Sequence, residues 1–249
     1  MYSTYFFALA ISVRKKLLRD SLKSEVPWLQ IFRSLLIVAE IGMFIVTIRY
    51  LSLAEMHALL ATFPLMVTAI AAVFLKEPVG IRRWGAVFVG FLGVLVILRP
   101  GLAAIQPAAL LALVTALTFA AYNVMIRLVS RYDDGETSTV YMAVVGLVVM
   151  TAIGPFYWET PTPSDWGWLL ALSISAAIGH LLLIKALEAA PASTLQPFNY
   201  TLLVFATIVG YIFFDSPPYF WTVIGAMIVV ASGLYTIYRK RRRAPTKKP

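Results

Sequence analysis

Cysteine is absent from this 249-residue chain, and histidine occurs only twice. The first absence excludes a disulfide framework, a thiolate zinc site and an iron–sulfur cluster. The second excludes a histidine-rich metal site. Charge is scarce too: Asp, Glu, Lys and Arg make up 13% of the residues, against about 25% in an average soluble domain. No Gly-x-x-x-x-Gly-Lys-Ser/Thr run is present, so the chain carries no P-loop for an ATP-driven pump. Neither a His/Glu metal motif nor a Gly-x-Ser-x-Gly elbow occurs. No cofactor and no metal are expected. What fills the chain instead is apolar: 60% hydrophobic residues and a mean hydropathy of +0.82. A soluble domain of this size cannot bury so much apolar surface, so its solvent is lipid for most of its length.

Eight segments are long and apolar enough to read as crossings, given flanking residues: 31–50, 54–75, 82–98, 106–129, 138–158, 166–187, 193–214 and 218–238. A helical crossing takes about 20 residues for about 30 Å of hydrocarbon. Turn signals separate them, among them Lys76-Glu77-Pro78-Val79-Gly80, Arg99-Pro100-Gly101, Asp133-Asp134-Gly135, Ala190-Pro191 and Asp215-Ser216-Pro217-Pro218. Period-2 alternation is missing, which argues against barrel strands. Met1–Val13 is a shorter apolar stretch that stops at Arg14-Lys15-Lys16. Its charges follow the apolar run and no cleavage site comes next, so it reads as the end of a helix and not as a signal peptide.

Net charge is +9, which alone would suggest nucleic acid. Its distribution says otherwise. If each segment crosses once and the tail is cytoplasmic, every Lys and Arg except Arg49 and Arg99 falls on the tail's side. That is the positive-inside bias, and it sets the orientation. No nucleic-acid partner is expected, and the tail Arg239–Lys248 reads as an anchor to anionic headgroups of the lipid bilayer.

The two halves also resemble each other. Arg49 aligns with Lys185, Glu77 with Asp215, Gly85 with Gly225 and Gly93 with Gly233, at offsets that stay between 136 and 140 residues. The charge map puts the Glu77 turn inside and the Asp215 turn outside, so the repeats are inverted. Inverted repeats are a feature of secondary transporters, whose half-bundles rock around a site near the midplane.

Specific residues carry a resemblance as well. In the first half they are Leu53-Ala54-Glu55, the stretch around Pro64, Lys76-Glu77-Pro78, Trp84, and Gly90-Phe91-Leu92-Gly93-Val94 through Arg99-Pro100-Gly101. In the second they are Gly179-His180, Ala190-Pro191-Ala192-Ser193, Pro197-Phe198-Asn199-Tyr200, Gly225-Ala226 and Gly233-Leu234-Tyr235. With these the chain resembles the EamA-type branch of the drug/metabolite transporter superfamily. The resemblance implies an all-α polytopic membrane protein of two inverted-topology helical repeats, here eight full transmembrane helices plus one short N-terminal segment. The family's ten helices imply that the first is missing and the second curtailed. The repeats would be 1–100, N-terminally incomplete, and 101–238, with 239–249 a basic cytoplasmic tail. The implied activity is transport of a small organic metabolite across the bacterial inner membrane, without enzymatic chemistry. The second-repeat motifs resemble members associated with S-adenosylmethionine or riboflavin uptake. Two alternatives stay open: a polytopic enzyme acting on lipid, and a truncated remnant or subunit that does not transport.

Polar residues inside the crossings are the candidates for the site. Glu40 lies about ten residues into its segment. An acid there costs roughly 2.5–3.5 kcal/mol on insertion scales, so it should face a cavity or a partner. Arg33, Glu40, Phe44 and Thr47 share one helical stripe. Glu40 is therefore a candidate for a substrate cation or a coupled proton, as against a structural ion pair. His57, beside Glu55 at a helix end, is a candidate for gating or proton coupling, with an interfacial cap as the blander role. Pro64 should interrupt its helix and release carbonyls. His180, with Ser173 on its face, lines the cavity or bonds another helix; Lys185 reads as a snorkelling anchor.

Thr115, Thr118 and Tyr122, with Asn123 beside them, form a stripe, as do Gln196, Asn199 or Tyr200, Leu203 and Thr207; the bland reading of both is interhelical glue. Phe44, Tyr122, His180, Asn199 and Tyr200 join Glu40 as expected contacts of the small-molecule substrate, since aromatic walls suit amphipathic ligands and cations. Ala86, Gly90, Gly93, Gly225 and Gly233 give small-residue faces for close helix packing or a homodimer seam. Trp158, Trp166 and Trp168 read as an aromatic belt, and the acidic turn 133–136 as a solvated loop.

Overall fold

The computed structural model describes residues 23–75, 80–98, 107–189, 192–215 and 217–243. Met1–Val13, the turns at 76–79 and 99–106, and the tail beyond 243 lie outside the described residues. So do the side chains of residues 83, 98, 192–198, 200 and 236–243 within their helices.

All regular structure among the described residues is helical. The helices are α1 Pro27–Thr47, α2 Leu53–Leu60, α3 Phe63–Phe74, α4 Ile81–Leu98, α5 Pro107–Val129, α6 Gly135–Ile153, α7 Pro163–Ala189, α8 Ala192–Phe214 and α9 Phe220–Arg243, with a 3-10 turn at Gly154–Tyr157. Each of the eight apolar segments coincides with a helix or, in one case, with a pair. Five stretches are long and apolar enough to cross a membrane: Pro27–Thr47, Leu53–Phe74, Pro107–Val129, Gly135–Tyr157 and Pro163–Ala189. Trp84–Ile97, Thr201–Phe214 and Phe220–Tyr235 are shorter apolar helices. Large apolar side chains such as Phe88, Phe91, Leu172, Leu182, Phe205 and Ile212 stand exposed along these helices. Such surfaces suit hydrocarbon, and the chain is a multi-pass membrane protein. Trp158, Trp166 and Trp168 are exposed around the 159–162 loop, and Lys185 is exposed on α7.

The chain divides into two compact units, Met1–Val38 with Met125–Pro191, and Ala39–Val124 with Ala192–Pro249. In the first unit α6 packs on α7. The Arg127 guanidinium donates to the Leu187 and Glu188 carbonyls at the end of α7, at 3.3 and 3.2 Å. These are helix-terminal acceptors with no intrahelical donor, and a cation there also complements the helix dipole. In the second unit α4 lies along α9, while α8 packs on α2, α3 and α9. The α4–α9 seam is close because two glycines meet in it. A Cβ on Gly93 would stand 2.9 Å from the Gly225 carbonyl oxygen, and one on Gly225 would stand 2.6 Å from the Gly93 oxygen. A Cβ on Gly90 would instead run into the side chains of Leu65 and Ser232. Gly85, which the repeat aligns with Gly225, has nothing within 4 Å of its would-be Cβ.

The 54–75 segment is not one helix. Pro64 has no N–H to give the Leu60 carbonyl and its ring crowds that carbonyl, so the helix breaks at Ala61-Thr62 and restarts with Pro64 in its first turn. Thr62 tightens the break, its Oγ1 donating to the Leu59 carbonyl at 2.7 Å. At the other end Ser52 and Glu55 form a capping box: Ser52 Oγ accepts from the Glu55 N–H, and the Glu55 carboxylate accepts from the Ser52 N–H at 3.1 Å. Glu55 is therefore a cap. Ser52→Ala is expected to cost about 1 kcal/mol, or about 2–4 °C in Tm for a chain of this size, measured by thermal unfolding of the purified protein.

Candidate functional site

The second unit gathers most of the polar and aromatic residues singled out from the sequence. Glu40, in the middle of α1, is 9% exposed. Among the described residues no side chain or backbone group makes a hydrogen bond or ion pair with its carboxylate. One turn further on, the half-buried Phe44 meets the His57 ring edge-on, with centroids 5.7 Å apart and planes at 79°. His57 Nδ1 lies 2.9 Å from the Leu53 carbonyl. A carbonyl only accepts, so Nδ1 carries a proton, and in the neutral form of the ring Nε2 is left as an acceptor. Thr47 completes the stripe, fully buried, with its hydroxyl donating to the Met43 carbonyl. The side of α1 that carries Glu40 is thus followed by an aromatic and an imidazole from the start of the broken helix.

Beyond the break, Phe63 contacts Phe119 of α5 edge-on, with centroids 4.8 Å apart. Phe119 in turn stacks on Tyr122 at 6.1 Å and 24°. Tyr122 is fully buried, as is Thr115, and Asn123 is nearly so. The sequence reading missed Phe63 and Phe119. A signal existed for each: Phe119 is three residues before Tyr122, hence on its face, and Phe63 directly precedes Pro64. The threonines correct another expectation. Thr115 and Thr118 donate to the carbonyls of Leu111 and Val114, four residues back, and Asn123 donates to Phe119. Their donors serve their own helix, as Ser and Thr side chains do within apolar helices.

Asn199 is half-buried on α8, and the side chain of Tyr200 lies outside the described residues. Leu203 and Thr207, further along the predicted α8 stripe, line a lateral groove of about 490 Å³ together with Ala54, Ala58, Thr222 and Ala226. Its lining is almost wholly apolar, and Glu40, Phe44, His57 and Tyr122 take no part in it. His180 belongs to the first unit. It is half-buried on α7, within electrostatic reach of the fully buried Arg33.

The acidic turn is the clearest departure from expectation. Asp134 is exposed and caps α6, its Oδ1 accepting from the Thr137 N–H at 2.8 Å. Asp133 is buried and accepts from Ser24 Oγ, the Glu25 N–H and Gln30 Nε2. Of two adjacent aspartates, one is a solvated cap and the other a buried hub.

Fold and site together define a multi-pass helical membrane protein with a buried carboxylate and a discontinuous helix beside it. The EamA-like transporter family model matches residues 106–238, more than half of the chain. The chain belongs to that family. It is similar to an S-adenosylmethionine uptake transporter of Rickettsia bellii, at 27% identity over 92% of this chain and 79% of that protein. It is also similar to a riboflavin transporter of Rhizobium johnstonii, at 26% identity over 96% and 80% of the two chains. A crystal structure with 18% sequence identity shares the fold, with a TM-score of 0.70 over 98% of this chain and 88% of that one.

Proposed function

We propose that the protein is a secondary transporter that moves a small organic metabolite across the bacterial inner membrane by alternating access, with its C-terminus cytoplasmic. Binding would shift the balance between two states of the bundle, each open to one side. All eight apolar segments would span, with 1–100 and 101–238 as inverted repeats. The observation that carries this reading is Glu40, a buried carboxylate inside a membrane helix, one turn from the Phe44–His57 contact and without a described partner. Buried intramembrane acids mark ion and substrate pathways. The break before Pro64 supports it, because interrupted helices supply unsatisfied carbonyls where transporters hold their cargo.

Glu40, Phe44 and Tyr122 are assigned to substrate, with Asn199, Tyr200 and His180 as further contacts; Glu40, His57 and Pro64 are assigned to coupling and gating. The substrate class follows the relatives: an amphipathic metabolite with a planar ring system, such as S-adenosylmethionine or riboflavin, which aromatic walls would stack upon. Counterflow uptake into proteoliposomes tests this. Vesicles preloaded with one unlabelled compound from a panel of S-adenosylmethionine, riboflavin and amino acids are expected to take up its labelled form well above protein-free vesicles. No counterflow from folded protein with any member would overturn the substrate assignment.

A further inference from the structure

The first unit holds a buried polar network that includes none of Glu40, Phe44, His57 and Tyr122, while its Arg33 lies within electrostatic reach of His180. Its centre is Gln30 on α1, fully buried. The Gln30 amide is polarised in one sense. Its Nε2 donates to Asp133 Oδ2 at 2.8 Å and to Ser138 Oγ at 3.2 Å. Its Oε1 accepts from Arg33 Nε and Nη2 at 3.3 and 3.1 Å. Arg33, also fully buried, reaches across to the Ser138 carbonyl at 2.6 Å. Asp133 closes the other side by accepting from Ser24 Oγ and the Glu25 N–H, the latter at 3.0 Å. An acid, an amide and a guanidinium thus tie the start of α1 to the start of α6. In the proposed repeat scheme these two helices come from opposite repeats.

We propose that Asp133, Gln30, Arg33 and Ser138 form a latch that closes this end of the bundle and parts when the same end opens; the proposal rests on the alternating-access reading above. Three features suit the role. The network lies at helix starts, on the side that also carries Arg127 and Arg131, where water can enter once the helices separate. It is made of hydrogen bonds, several of them charge-assisted, which exchange for water at far less net cost than their gross strength. Fixed apolar packing cannot trade partners in that way. Its Arg33 also shares α1 with Glu40, about 10 Å or two turns before it.

The absence of cysteine allows a test without background labelling. Ser34 is fully buried, one residue after Arg33, and Ser34→Cys serves as a reporter for a membrane-impermeant maleimide added from the Arg127/Arg131 side. Slow labelling is expected with the network intact. Asp133→Asn should raise the rate about tenfold, the scale set by weakening one charge-assisted hydrogen bond. Ser24→Ala removes a single hydroxyl from a half-buried position without threatening the fold, and it should raise the rate severalfold. Asp133→Glu, which keeps the charge, should label more slowly than Asp133→Asn. Unchanged labelling in both Asp133→Asn and Ser24→Ala would overturn the latch and leave static packing. Counterflow by the cysteine-free parent is measured alongside. Transport without a labelling change sinks the latch alone; a labelling change without counterflow of any panel member overturns the substrate assignment and leaves the latch standing.

Discussion

Glu40→Gln is expected to abolish gradient-driven accumulation while leaving counterflow exchange in place. Glutamine keeps the shape of the side chain and removes its ability to carry a proton or balance a cation. If Glu40 couples one charge to each transport cycle, its loss forfeits about 2.3 kcal/mol per 100 mV of membrane potential, roughly fifty-fold in accumulation ratio. Counterflow needs no gradient, so it should survive wherever the substrate still binds. The structure gives reason to expect a large effect, because the carboxylate is buried on α1 and no described residue holds it. The measurement is uptake into proteoliposomes with and without an imposed proton gradient, over a range of external pH. Rapid driven uptake by Glu40→Gln with unchanged pH dependence would rule out coupling through this residue. Loss of counterflow as well would make Glu40 a substrate contact.

Gly225→Val should strongly destabilise the second unit. Even the first added carbon would stand 2.6 Å from the Gly93 carbonyl oxygen and 3.1 Å from the Ile97 N–H nitrogen, and it would run into the Ile97 side chain. Two of those neighbours are backbone, so the helices themselves must separate. Overpacking of this kind costs about 1–3 kcal/mol or more, and close small-residue contacts are a main source of helix association in lipid. A loss of about 6–12 °C in Tm corresponds to 3 kcal/mol at this chain length. Gly85→Ala is the control. Its would-be Cβ meets nothing within 4 Å, and replacing an exposed helical glycine with alanine should be neutral or stabilising. Equal losses from both substitutions would refute the seam.

Composition and periodicity alone determined the class of protein, the positions of its helices and, on α1, which polar residues share a buried side. Hydropathy reports whether a segment can meet lipid, and the 3.6-residue period reports which residues share a face. Arg33, Glu40 and Thr47 are accordingly buried together on α1, and Pro64 interrupts its helix because a missing N–H is a property of the residue itself. Which face meets which partner was decided only by the tertiary structure. The repeat aligned Gly225 with Gly85, yet it meets Gly93; internal symmetry relates equivalent positions and carries no information about contacts between repeats. Asp133 and Asp134 read as one solvated turn, yet burial of Asp133 depends on Ser24, Glu25 and Gln30, more than a hundred residues away along the chain. Phe63 and Phe119 entered the aromatic ladder the same way, through a contact between α3 and α5. A sequence pattern weighs each helix against its solvent, whereas a latch, a seam or a ladder exists only where two helices have already found each other.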